Sequence, residues 1–260
     1  MHLDIYQIDA FTDEVFKGNP AAVVPLKEWL PDETLQNIAF ENNLSETAFF
    51  VKKENVFHLR WFTPTTDVDL CGHATLASAF LLFNKLGYKG NKIHFTCLSG
   101  DLYVTKKQNG YMMDFPVWEY EETPVTDEVI DALGTKPTEL YKGKKWIAVF
   151  DEERIIRNIA PNMEKVKNIK GCGGILTTAK AKDTDFISRN FAPQKGIPED
   201  PVTGSAHCVL TPFWSKRLNK TKLTAYQASE RGGYLLCELK NGRVEITGQA
   251  CLYMEGKIQI

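Results

Sequence analysis

The sequence predicts an α+β fold of two similar domains, each a set of strands wrapped around a central buried helix, with the active site in the cleft between them. Three observations lead there. Landmarks recur at half the chain length, a helix-like segment apolar on nearly all sides lies among β-rich segments, and two glycine-led helix starts hold corresponding places in the halves.

The recurrence is collinear. Arg60-Trp-Phe62-Thr-Pro64 returns 129 residues later as Arg189-Asn-Phe191-Ala-Pro193. Pro31 returns as Pro161, Gly72-His-Ala74 as Gly204-Ser-Ala206, Ser99 as Ser229, and the turn Asn109-Gly110 as Asn241-Gly242. Five landmarks in one order point to an internal duplication. The first half-repeat is 1–116, with the C-terminal strand 251–260 available to complete it; the second is 117–250.

Within the first half, residues 56–62 alternate and are rich in β-formers, as a half-buried strand should be. Further strands are expected at 93–97, 101–105 and 111–115, the last two joined through the Asn-Gly turn. Ala74 to Phe83 is apolar on nearly every side and predicts a buried helix, with Gly87 as its C′ glycine. In the second copy, Ser205 to Leu218, Pro212 removes a helix hydrogen bond and should bend the helix.

Composition narrows the function classes. Lys and Arg number 31 against 33 Asp and Glu, a net charge of −2, and no basic stripe offers a nucleic-acid footprint. Residues 1–25 lack the basic and apolar regions of a secretory signal, and the longest apolar stretch is too short to span a bilayer. The six cysteines are spread without a C-x-x-C pair, so reduced thiols and a cytoplasmic location are expected. The charge runs Lys142–Lys145 and Glu119–Glu122 read as solvated loop.

Chemistry concentrates at the two helix starts, Cys71-Gly72-His73-Ala74 and Thr203-Gly204-Ser205-Ala206. Unpaired N–H groups and the helix dipole attract anions there, and glycine lets a ligand approach the backbone. A substrate carboxylate is a natural guest; the other reading makes both glycines packing spacers. Glu46 stands just before the apolar strand Thr47 to Phe50, where burial would lift its carboxyl toward the range useful for proton transfer. It could equally be a strand-edge or capping residue. At the repeat offset Glu46 falls on Ile175, and acidic residues appear in the second half as Glu199-Asp200.

His73 lies in a first helical turn, which favours a neutral imidazole donor, although a core histidine fits too. His207, one turn deeper, reads as structural. No metal-ligand spacing, nucleophile elbow or nucleotide loop is present, so neither metal nor cofactor is expected.

Ala10-Phe-Thr, Gly18-Asn-Pro-Ala-Ala-Val-Val24, Leu44-Ser-Glu-Thr-Ala48, Arg60-Trp-Phe-Thr-Pro64, Leu70-Cys-Gly-His-Ala-Thr75 and Glu199-Asp-Pro-Val-Thr-Gly-Ser-Ala-His207 together resemble the PhzF family, the phenazine-biosynthesis-like isomerases related to diaminopimelate epimerase. The resemblance implies a homodimer of chains with two diaminopimelate-epimerase-like domains, each a β-barrel-like sheet around a central helix, and a cofactor-free site. It implies trans-2,3-dihydro-3-hydroxyanthranilate isomerase-type chemistry, in which a glutamate moves a proton between two substrate carbons. Glu46 matches that glutamate, and His73 and Asp200 match its helpers. Gly72, Gly204 and Ser205 match the substrate anchors, and Asn19 lies in the Gly-Asn-Pro loop.

Diaminopimelate epimerase places a cysteine before each glycine, whereas here Cys71 has only Thr203 as counterpart. The Cys-Gly-His-Ala-Thr form also looks like a branch whose members mostly lack an assigned substrate. A racemase or epimerase using Cys71 with a carboxylate, and a non-catalytic ligand-binding or interaction role, stay open beside the isomerase.

Overall fold

Phe57, Leu59 and Trp61 are buried while His58 and Arg60 between them are partly exposed, the period-two pattern that a strand imposes on its side chains. The computed structural model describes residues 1–260. Two units emerge, Met1–Asp114 with Ile246–Ile260 and Phe115–Glu245.

The first unit runs β1 (His2–Ala10), β2 (Asn19–Leu26), α1 (Asp32–Asn42), β3 (Glu46–Lys53), β4 (Val56–Phe62), β5 (Asp67–Val68), α2 (Gly72–Asn84), β6 (Lys92–Cys97), β7 (Gly100–Lys107) and β8 (Gly110–Pro116). The second continues with β9 (Tyr120–Thr123), α3 (Asp127–Leu133), β10 (Glu139–Gly143), β11 (Trp146–Val149), α4 (Glu153–Asn158), α5 (Met163–Asn168), β12 (Ile175–Lys180), β13 (Phe186–Ala192) and β14 (Ile197–Asp200). Next come α6 (His207–Leu218), β15 (Lys222–Gln227), β16 (Gly233–Lys240) and β17 (Arg243–Gly248), and β18 (Ala250–Gln259) then pairs antiparallel with β1.

In the first unit β2 and β3 are parallel from Ala21 opposite Glu46, β3 and β4 antiparallel, β4 and β6 parallel. In the second, β11 and β12 are parallel from Trp146 opposite Ile175, β12 and β13 antiparallel, β13 and β15 parallel. Ile175 thus heads β12 as Glu46 heads β3.

The helix α2 is buried from His73 to Phe83 apart from Phe80, as an all-round apolar sequence requires. Leu76 and Leu81 are fully enclosed, and shortening either to alanine would cost about 2–5 kcal/mol. The helix stops at Asn84 rather than running to Gly87. Gly87 does take a left-handed conformation, and across it the Tyr88 N–H reaches back to the Leu82 carbonyl.

Pro212 lies inside α6, and its missing N–H would have bonded the Cys208 carbonyl four residues earlier. That carbonyl accepts the Trp118 N–H instead, at 3.0 Å. The loss expected from proline is made good from outside the helix.

Two local expectations shift. The β7–β8 loop is Gln108-Asn109, because Lys107 already pairs with Gly110. A Cβ at Gly110 would lie 2.3 Å from the Gly248 carbonyl oxygen, so that glycine serves close backbone approach. Asn241-Gly242 do form the expected turn, as the two positive-φ residues between β16 and β17. The acidic run Glu119–Glu122 enters β9, paired with β10, rather than a loop. All six cysteines are free thiols, and no helix is long and apolar enough to cross a membrane.

Candidate active site

In the first unit, four of the expected side chains converge. The Gly18 position, at φ 63°, would drive a Cβ to 2.2 Å from the Ala10 carbonyl oxygen, so only glycine turns the chain there. That turn delivers Asn19, fully buried, to the start of β2. Glu46 opens β3 on the neighbouring parallel strand, its side chain 14% exposed. Cys71 caps α2 in extended conformation, and His73 sits in the first turn with its ring buried.

His73 Nε2 lies 3.3 Å from Glu46 Oε2. On the other ring nitrogen, Asn19 Nδ2 stands 3.3 Å and Cys71 Sγ 3.4 Å from Nδ1. An amide nitrogen only donates, so Nδ1 accepts and the neutral imidazole carries its proton on Nε2, the nitrogen on the Glu46 side of the ring. Asn19 thus sets the His73 tautomer, and the ring stands beside the Glu46 carboxylate.

Glu46, Cys71 and His73 also each offer a metal-type ligand atom, all within 4.8 Å of one another. Glu46 faces Nε2 and Cys71 faces Nδ1.

In the second unit, Glu199 and Asp200 part company. Glu199 is clamped by Arg189, with Nε to Oε1 at 2.7 Å and Nη2 to Oε2 at 2.8 Å, and Arg189 also donates to the Ile159 carbonyl. Asp200 instead receives the Thr203 hydroxyl on Oδ2 at 2.5 Å. Thr203 holds the N-cap position before Gly204 and Ser205, which form a single 3-10 turn leading into α6. Gln227 ties this corner by accepting the Thr203 N–H at 2.8 Å and donating to the Asp200 carbonyl at 2.7 Å. His207 is entirely enclosed and its pKa is pushed down to about 4 by burial; neutral, it donates from Nδ1 to the Thr203 carbonyl, a structural role.

One functional candidate escaped the sequence reading. Lys145, in a charge run that predicts a solvated loop, is only 6% exposed. Its Nζ donates to Asn190 Oδ1 at 3.0 Å, and Asn190 Nδ2 donates to Thr203 Oγ1 at 2.8 Å. Burial lowers the Lys145 pKa to about 8, with the Asp200 carboxylate opposing part of that fall. The only sequence signal was the neighbouring glycine run: a Cβ at Gly174, φ 129°, would sit 3.5 Å from Lys145 Nζ.

A family model described as phenazine biosynthesis-like protein matches residues 8–256. The chain belongs to that family. An uncharacterized isomerase of Pseudomonas aeruginosa is 46% identical over 260 residues, the match covering all of both chains. The crystal structure of a PhzF-family phenazine biosynthesis protein from Enterococcus faecalis is 50% identical, with a TM-score of 0.98 over the full length of each. A hydroxyproline epimerase from Agrobacterium vitis, 10% identical, shares the fold at a TM-score of 0.60 over 99% of this chain and 92% of its own. The chain therefore has the α+β, diaminopimelate-epimerase-like fold, and an isomerase type of function.

Proposed function

We propose that this protein is a cofactor-independent isomerase that moves a proton within a small carboxylate-bearing substrate, with Glu46 as acid and base. The observation that carries the reading is the 3.3 Å approach of His73 Nε2 to the sheltered Glu46 carboxylate. Glu46 removes a proton from a substrate carbon, the electron pair delocalises into the adjacent π-system, and Glu46 returns the proton elsewhere along it. His73 holds the carboxylate in one rotamer, so little reorganisation accompanies the transfer. In the first unit Gly72 offers an N–H donor to a carboxylate; in the second, Gly204 and Ser205 offer donors of their own and Asp200 is the supporting acid. PhzF-family membership favours trans-2,3-dihydro-3-hydroxyanthranilate as the first substrate to try.

The test is proton NMR in D₂O with that compound, comparing the wild type with Glu46→Gln. Rearrangement or deuterium uptake that disappears in the variant supports the assignment. Equal exchange in the variant overturns Glu46 as the base. If the compound stays inert, a panel of other small unsaturated acids follows under the same comparison.

A second reading, a racemase or epimerase using Cys71, is favoured by one contact, the 3.4 Å from Cys71 Sγ to His73 Nδ1. It requires that Cys71→Ala abolish exchange, whereas the isomerase reading expects that variant to keep most of it.

A further inference from the structure

The second unit places a buried cation next to the strand pair that corresponds to the one carrying Glu46 in the first. Lys145 directly precedes Trp146, the residue that pairs with Ile175 at the head of β12; in the first unit the corresponding pair is Ala21 and Glu46. An ammonium carries three hydrogens and no acceptor. The Asn190 oxygen must therefore face Lys145, which turns the Asn190 NH₂ toward Thr203. Thr203 Oγ1 accepts from Asn190, and from Gln227 Nε2 at 3.3 Å, so its own hydrogen is left for Asp200 Oδ2. Strand register helps: Asn190 on β13 lies directly opposite Asp200 on β14.

We propose that Lys145 is a positioning residue for this enzyme, which through Asn190 and Thr203 sets the direction of a donor chain ending on Asp200 and so holds that carboxylate as an oriented acceptor beside the Gly204–Ser205 turn. The inference rests on the reading that Asp200 assists proton transfer. Its physical core does not: a neutral or absent lysine frees the Asn190 amide to turn round, and the chain loses its polarity. The charged groups that bear on Lys145 are Asp200, Lys195 and the Cys172 thiol. Its pKa of about 8 puts the ammonium's loss within reach of a titration.

The substrate-independent test follows the Asn190 side-chain amide by ¹⁵N NMR of the whole chain between pH 6 and 10, its signal identified by its absence in Asn190→Ser. The wild-type amide is expected to shift with a midpoint near the Lys145 value of about 8, and Lys145→Met should show no such transition. An amide that does not titrate, or that titrates alike in Lys145→Met, overturns the proposal. The functional test uses the first small acid that exchanges with the wild type in D₂O. Lys145→Met should lower kcat about tenfold with little change in KM, the scale of one charge-assisted hydrogen bond, and should erase the alkaline limb of the pH–kcat profile; an unchanged profile counts against the proposal. Lys145→Gln, which restores a donor without the charge, should recover part of kcat but not the limb. The two readings fail separately: equal exchange in Glu46→Gln removes the isomerase base and leaves the Asn190 titration standing, while a silent Asn190 amide removes Lys145 whatever Glu46→Gln does.

Discussion

His73 Nε2 stands 3.3 Å from Glu46 Oε2, joining the first turn of the buried helix to the first residue of a strand. The backbone of each belongs to an element of the core. That rigidity is what a carboxylate needs if it is to give back a proton at a defined second position.

Glu46→Gln keeps the shape and removes the base. We expect kcat to fall by about 10²–10⁴-fold, the usual contribution of a positioned acid or base, with KM changed only a few fold. Steady-state kinetics on the first exchanging substrate measure both.

The tautomer of His73 can be read directly. Long-range ¹H–¹⁵N spectra of the wild type should show Nε2 protonated and Nδ1 bare. Asn19→Leu, which takes away the Nδ1 donor, should weaken that preference and lower turnover without unfolding the protein. A wild-type spectrum with Nδ1 protonated would contradict the tautomer that Asn19 sets.

Lys145 should cost stability while serving function. Its folded pKa of about 8 lies below the ordinary 10.5, so between those values the unfolded chain binds the proton more strongly and stability rises with pH. Below pH 8 the buried charge costs about 3 kcal/mol. Lys145→Met should therefore resist urea better than the wild type at pH 7, and the gap should narrow by pH 10. A variant less stable at pH 7 with a gap independent of pH would refute this.

His207 works in the acid range. Its folded pKa, about 4, is below the unfolded 6.5, so its contribution is complete above pH 6.5 and is lost as pH falls toward 4. The loss amounts to about 3 kcal/mol. Urea midpoints of His207→Gln should vary less between pH 7 and pH 4 than those of the wild type, although the variant starts lower.

Gly18→Ala should cost about 2 kcal/mol or more, since it combines a positive φ with a Cβ pressed against the Ala10 carbonyl. Because Asn19 follows at once, turnover should drop as well. Denaturation and kinetics on the same preparation would check both.

Local sequence signals carried a large part of this protein. The all-round apolar Ala74–Phe83 could only be a buried helix, the alternation at 56–62 could only be a half-buried strand, and short motifs brought Asn19, Glu46, Cys71 and His73 to attention. Such features are legible because burial and backbone geometry act on residues close together in the chain. What tertiary structure alone decided depends on partners far apart. The Lys142–Lys145 run looks solvated until β11 and β13 meet across β12 and Asn190 receives Lys145. Glu199 and Asp200 are indistinguishable neighbours until Arg189 clamps one and Thr203 binds the other. Pro212 reads as a broken helix bond until Trp118 fills it. A side chain's charge and propensity are written in the sequence; whether water or a distant polar group surrounds it is settled only when the chain closes on itself.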